Sequence, residues 1–341
     1  MIGLTTALGL SAPASGAIEP PPCEYPAAER VVAVGHLAGE TEPFLEILRD
    51  AGLADDAGRW IGGDARLVIL GNFTGGGDHI LDLVDLIRSL EDQARAAGGA
   101  VHALLGFYEI QLLRGDFEFV SQDNYAHLAT EGSDQRRRER IEATVEHVIE
   151  MLPPMPEQTE AYQRKKFRNL MDLRMGLGGV EFADLFAPGT ERGDWLRSRN
   201  SVIKIGDALY SRGGLGPQYG ELTLTEVNDL VRRAVRTETM FPALYQIDLK
   251  LPPYWSSLPT RPELEMREGY LRALEQRDVR VQVVGVNTKF DTVTRWGFGG
   301  RAIYIDSGIA ARVTGFPNRT LDYVDVVGGR YYLVMGGRRI A

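Results

Sequence analysis

The chain has 341 residues, 44% hydrophobic and 25% charged, enough for one large domain or two small ones with a substantial core. A formal charge of −9 argues against nucleic acid as a partner, because releasing phosphate counterions needs a cationic face. Its single cysteine, Cys23, excludes an internal disulfide framework and a Cys-rich zinc site.

The first 17 residues, MIGLTTALGLSAPASGA, are small, apolar and uncharged, and a proline-rich tether, IEPPPCEYP, follows. The segment has the character of the tail of a signal or transit peptide, with Ser15 and Ala17 in a small-x-small pattern but no basic start. The other reading is a flexible leader, or an extended arm lying on a partner. No stretch reaches the roughly 18–20 apolar residues of a membrane span. The expectation is a leader or arm over 1–29 and one folded domain over 30–341. An organelle (chloroplast or mitochondrion) or a bacterial extracytoplasmic space is favoured over the cytoplasm.

From residue 30 the text alternates. RVVAV (30–34), ARLVIL (65–70) and AVHALL (100–105) are short β-rich runs, each followed by glycine. EPFLEILRDAGL (42–53), with Gly52 as its C-cap, and HILDLVDLIRSLEDQARAAGG (79–99) carry apolar residues at helical spacing. That is a β-α-β-α-β pattern. Residues 114–200 are charge-rich and mostly helical, broken by Pro153, Pro154 and Pro156, and predict an inserted helical cap. The cap holds two basic runs, RRRER (136–140) and RKKFR (164–168), set among acids and read as solvated helix faces. Strands resume at SVIKI (201–205), ALYSR (208–212), VQVVG (281–285), AIYID (302–306) and YYLVM (331–335). LTLTEVNDLVRRAVR (222–236) is an amphipathic helix with Thr223 or Thr225 as N-cap.

Loops after strands are where α/β proteins place their chemistry. Here they read Gly35-His36-Leu37-Ala38-Gly39, then Gly71-Asn72-Phe73-Thr74-Gly75-Gly76-Gly77, then Gly106-Phe107-Tyr108-Glu109. Later come Ser211-Arg212-Gly213-Gly214 and Gly285-Val286-Asn287-Thr288. In order and spacing, and in framework stretches such as WLRSRNSVIKIGDALY and IYIDSG, the chain resembles the calcineurin-like metallophosphoesterases, specifically the Shewanella-like phosphatase branch, over about residues 30–310. The resemblance implies an α/β fold, a four-layer sandwich of two mixed β-sheets flanked by helices, with the cap inserted at about 114–200.

It also implies a set of lost ligands. The branch has G-D-x-H-G where this chain has His36 for aspartate and Ala38 for histidine. Its G-D-x-x-D-R-G becomes Asn72, Gly75 and Gly76 at the three polar positions, and its G-N-H-E becomes Phe107, Tyr108 and a retained Glu109. Arg212 and Asn287 stand where two further metal histidines belong, and a substrate-side arginine aligns less securely with Gln246. Two divalent ions roughly 3.5–4 Å apart need bridging carboxylates and neutral imidazoles. Alanine offers no donor, and the permanent charge of arginine opposes a dication. All five histidines lie at or before residue 147. The expectation is a pseudoenzyme with no catalytic residues and no metal or other cofactor.

Three alternatives stay open at the pocket. His36, His79, Glu109, Glu40 and Asp78 could converge into a rebuilt metal site that restores phosphoesterase chemistry. Arg212 could pair with Glu109 or Glu40 in place of ions. Arg212 and the backbone N–H groups of Gly75, Gly76 and Gly77 could bind a phosphate-bearing ligand, making the chain a sensor; a loosened loop is the bland counterpart. Phe107 and Tyr108, beside Leu37 and Phe73, suggest an apolar pocket floor. The function expected is structural or partner-binding, within a larger assembly, through the leader 1–29 and the cap.

Overall fold

The computed structural model describes residues 19–151, 159–216, 219–236, 263–285, 294–309 and 320–340. Gln246, Asn287, the small-x-small pattern at Ser15 and Ala17, and the prolines at 153–156 lie outside the described residues.

Apolar alternation and glycine punctuation produce two six-stranded sheets. One has the order β12-β11-β10-β2-β3-β4, built from β2 (Arg30–Val34), β3 (Arg66–Ile69), β4 (Ala100–Ala103), β10 (Asp322–Val327), β11 (Arg330–Met335) and β12 (Arg338–Ile340). Its β2, β3 and β4 run parallel, with Val32 opposite Leu67 and Leu67 opposite Val101, while β10, β11 and β12 are antiparallel. The other has the order β1-β5-β6-β7-β9-β8, from β1 (Glu24–Tyr25), β5 (Val202–Ile205), β6 (Ala208–Ser211), β7 (Val281–Gly285), β8 (Arg295–Gly297) and β9 (Ala302–Ile305). There β6, β7 and β9 are parallel. Both sheets are mixed and flanked by helices, as the family resemblance implied.

Helix α1 (Thr41–Asp50) joins β2 to β3, and α2 (Ile80–Ala96) joins β3 to β4. In α2 the buried set Ile80, Leu83, Val84, Ile87, Leu90 and Ala94 is one face of a 3.6-residue repeat. Gly52, just past α1, sits at φ 63, the left-handed geometry that ends a helix without a Cβ clash. Between β4 and β5 the chain is helical: α3 (Phe107–Leu113), α4 (Ser133–Met151), α5 (Glu160–Arg174), α6 (Gly179–Leu185) and α7 (Glu191–Ser198). The basic runs zip these helices together: Arg136 pairs with Glu181, Arg137 with Asp172, Arg164 with Glu146 and Arg168 with Glu142. Helix α8 (Leu224–Arg236) starts with a capping box in which Thr223 and Glu226 exchange backbone N–H bonds, while Thr225 lies against Cys23 instead. Helix α9 (Glu263–Glu275) precedes β7.

The folded part starts before Arg30, where the sequence placed its boundary. Glu24 and Tyr25 add a short parallel strand to β5, and the Cys23 carbonyl accepts the Lys204 N–H at 2.8 Å. Asn200 clamps the segment by donating from Nδ2 to the carbonyls of Pro21 and Pro22 at 3.1 and 3.0 Å. A two-residue strand after three prolines has no periodicity to read, so pattern alone could not find it.

Tyr25 also covers His102 of β4, with ring centroids 4.5 Å apart. Burial first, then the charges of Arg66 and Arg199, hold the His102 pKa down at about 4. The unfolded chain takes up this proton near pH 6.5 and the folded chain does not, so stability is full above pH 6.5 and falls as pH drops toward 4. In urea titrations at pH 7 and pH 5, the parent should lose about 2 kcal/mol more than His102→Phe. Equal losses would show that His102 titrates normally.

Candidate functional site

Six parallel strands end at one place. The loops after β2, β3 and β4 carry His36, Asn72 and Tyr108, and the segments after β6 and β9 carry Arg212 and Asp306. The strand ends pack closely at their glycines, both between the two sheets and within the first. A Cβ on Gly35 would lie 2.8 Å from the Ile305 carbonyl oxygen, and one on Gly71 would lie 2.6 Å from the Gly106 nitrogen. Ser307 Oγ donates to the His36 carbonyl at 2.5 Å, tying one sheet's loop to the other.

Glu109 organises the first sheet's side of the site. Its side chain is fully buried at the first turn of α3. Oε1 accepts the Phe73 and Thr74 N–H groups at 2.8 and 2.9 Å and the Thr74 hydroxyl at 3.0 Å. Oε2 accepts the N–H groups of Asn72 at 2.8 Å and Gly106 at 2.7 Å. A carboxylate that bridges four backbone donors on two loops fixes both loops at once. Held this way, Asn72 and Ala38 keep left-handed backbones at φ 58 and 52, and the Ala38 N–H donates to the Asn72 carbonyl at 3.1 Å. Left-handed geometry costs a non-glycine residue roughly 1–2 kcal/mol, so these loops hold their shape against a local preference.

Arg212 governs the second sheet's side. It is buried, and its Nη1 donates to the Gly285 carbonyl. Burial lowers its pKa from the ordinary guanidinium value, opposed by the potentials of Tyr108, Asp306 and Glu109. A guanidinium remains a cation throughout the physiological range. The pairing expected with Glu109 or Glu40 does not form. Both Glu109 oxygens are occupied by backbone donors, and Glu40 Oε1 accepts the Asp78 N–H at 3.1 Å. Arg212 Nε has no hydrogen-bond partner among the described residues.

The glycine run behaves differently from a phosphate nest. The Gly76 N–H donates to the Phe119 carbonyl at 2.7 Å, and the Glu40 carboxylate packs against Gly77. The backbone donors that do converge belong to Asn72, Phe73 and Thr74, and Glu109 already fills them. The rebuilt metal set does not assemble either. His79 is largely exposed beside Asp82, and Asp78 accepts the Ser121 hydroxyl. Leu37 and Phe73 are fully buried, but Phe73 faces Trp195 across 6.2 Å rather than the aromatic group at the pocket. That group is Tyr108, stacked on Phe119 at 4.5 Å, with His36 edge-on at 5.3 Å and Phe107 against Phe119 at 5.8 Å. Sequence reading missed Phe119, Asn124 and Asp306. Asn124 bridges to the glycine loop through the Gly77 carbonyl at 2.8 Å, a role no local pattern signals. Asp306 was visible in IYIDSG but its position opposite Arg212 was not.

The two-metal centre that the resemblance implies does not fit these residues. Ala38 has no donor, a buried guanidinium stands among the loops, and among the described residues no group of three or more His, Cys, Asp or Glu could hold a metal ion. No hydrolytic step through metal ions follows from them.

Replacing the Glu109 carboxylate should show how much of the site it holds. In Glu109→Gln an amide N–H faces backbone N–H donors, and a loss of about 3 kcal/mol or more is expected in equilibrium unfolding. A loss near zero would mean that the loops keep their shape without it.

No protein-family model matches the chain. Shewanella-like protein phosphatase 2 of Arabidopsis thaliana is 25% identical over 204 residues, 60% of this chain and 51% of that protein. An uncharacterized protein of Schizosaccharomyces pombe is 29% identical over 108 residues, 31% of this chain and 32% of its own length. The chain thus spans about half of the first relative and a third of the second. The crystal structure of the cold-active protein-tyrosine phosphatase of a psychrophile, Shewanella sp., superposes with a TM-score of 0.67 at 23% identity, covering 94% of this chain and 82% of that one. The expectation of a protein outside the enzymes is corrected by these names, which point to an enzyme family. With homology to a Shewanella-like phosphatase and two mixed sheets arranged as in the Shewanella structure, the chain has a metallophosphoesterase-type fold.

Proposed function

We propose that this metallophosphoesterase-type protein serves a structural, partner-binding role, with the helical cap and the N-terminal segment as its docking parts. The observation that carries the reading is where large apolar side chains are exposed. Among the described residues these are Ile61, Tyr162, Leu173, Leu177, Leu230 and Ile340, and Tyr162, Leu173 and Leu177 all belong to the cap. Tyr162 and Leu173 are eleven residues apart on α5, close to three full turns at 3.6 residues each, so they share one face. Leu177 follows the helix end. Single exposed apolar residues need no explanation, whereas two on one helix face with a third just past its end offer a partner more than one apolar contact. The same helix holds its other flank with ion pairs to α4, so the two apolar side chains are presented on a braced element. The pocket is organised by Glu109 and Arg212 from within the chain, which leaves its loops rigid as part of the scaffold. The apolar leader would add a second contact by its composition.

Native size-exclusion of extracts tests the role. The parent chain should elute in an assembly larger than the free monomer, and the Tyr162→Ser, Leu173→Ser, Leu177→Ser triple variant should move to the monomer position with its melting temperature unchanged. A parent chain that elutes as a free monomer would overturn the proposal.

A further inference from the structure

We propose that the helical cap contains a binding site for a small amphipathic organic anion, separate from the pocket at the strand ends and from the exposed Tyr162 and Leu173 of α5. A cavity of about 330 Å³ opens between α4, α5 and the residues that follow α3. Small-molecule sites typically fall in the range of roughly 300–1,000 Å³. Its lining has two characters. Val148, Met171 and Met175 form an apolar wall, and Arg114, Arg140 and His147 supply the polar side, with no Asp or Glu on the lining.

The polar side is arranged rather than scattered. Arg140 and His147 are seven residues apart on α4, two turns along one face. Arg114 comes from a different element, the C-cap of α3, and is buried. Arg140 pairs with Asp184 at 3.3 Å on the solvent side, which leaves guanidinium donors for a second acceptor. His147 Nε2 is buried and has no hydrogen-bond partner among the described residues. A buried polar atom without a partner costs roughly 1–3 kcal/mol, and an anionic oxygen placed in the cavity would remove that cost. The two methionines give the apolar wall a side chain that adapts to a ligand's shape. A carboxylate, sulfonate or phosphate head on an apolar body satisfies both halves of the lining, and a bare inorganic ion satisfies only one.

Fluorescence titration of the full chain with anilinonaphthalene sulfonate and with its uncharged analogue phenylnaphthylamine tests the site. The sulfonate should bind saturably at a single class of site, about tenfold more tightly than the analogue. His147→Leu and Arg140→Met should each weaken the sulfonate about tenfold and leave the analogue unchanged. Ala183→Phe, which puts a ring into the cavity from α6, should remove both. Equal affinity for the two probes, or sulfonate binding that survives in folded Ala183→Phe, would overturn the proposal. If Ala183→Phe fails to fold, the comparison of probes on the parent chain and on His147→Leu decides it.

Discussion

The arrangement of the site depends on a single buried carboxylate. Glu109 accepts N–H groups from Asn72, Phe73 and Thr74 after β3 and from Gly106 after β4, and so locks two crossover loops to one another at the edge of the sheet. Buried backbone donors must find partners, and here a side chain supplies them where no ladder or helix can. The rest of the first sheet's edge follows from that lock. The left-handed turn at Asn72 presents its carbonyl to Ala38, and the side-chain oxygen of Asn72 accepts the Tyr108 N–H at 3.4 Å. Loops that would relax in isolation are thereby held in the shape of a site.

Opposite that lock the chain places a cation. Arg212 is buried at the end of β6, bonded to the end of β7 and within the field of Asp306, Tyr108 and Glu109. In an environment of low effective dielectric a fixed guanidinium repels a second cation strongly, and it attracts negative charge to the same degree. Tyr108 and Phe119 stack beside it, and His36 closes the group edge-on. The result is a site whose charges and packing come from protein side chains on both sheet edges, on a fold shared with a protein-tyrosine phosphatase of Shewanella sp.. The cap adds a different surface chemistry, with ion pairs between its helices and apolar residues facing out.

Much of this was legible in the residues because it is local. The runs at 30–34, 65–70 and 100–105 became β2, β3 and β4, and the helical repeat at 79–99 became α2, one residue shorter at its start and three at its end. The loop positions were legible too, since each follows a strand and carries the motif glycines. What the sequence hid is long-range. The identity of Glu109's partners depends on two loops meeting across 37 residues of chain, from Asn72 to Glu109. The alternative of an anion nest at Gly75, Gly76 and Gly77, set beside that of a loosened loop, could not anticipate that Phe119, far along the chain, takes one of the donors. The strand β10 (DYVDVV) went unread because its aspartates interrupt the apolar run. Asp325 is nonetheless buried, paired with Arg30 at 3.0 Å, a partner invisible in a one-dimensional text. The boundary at Arg30 moved for the same reason, since Asn200, β5, His102 and Thr225, all distant in the chain, hold residues 21–25 in place.

Metal content separates an account built on protein charges from one built on ions. The purified full chain would be loaded with manganese, iron and zinc, desalted, and measured by plasma mass spectrometry. If Arg212, Ala38 and Asn72 define the site as described, less than about a tenth of an ion per chain should remain, against the two ions of a dinuclear centre. Retention of one or two ions per chain would contradict the account, and would require Glu109 or Arg212 to leave the positions they hold here.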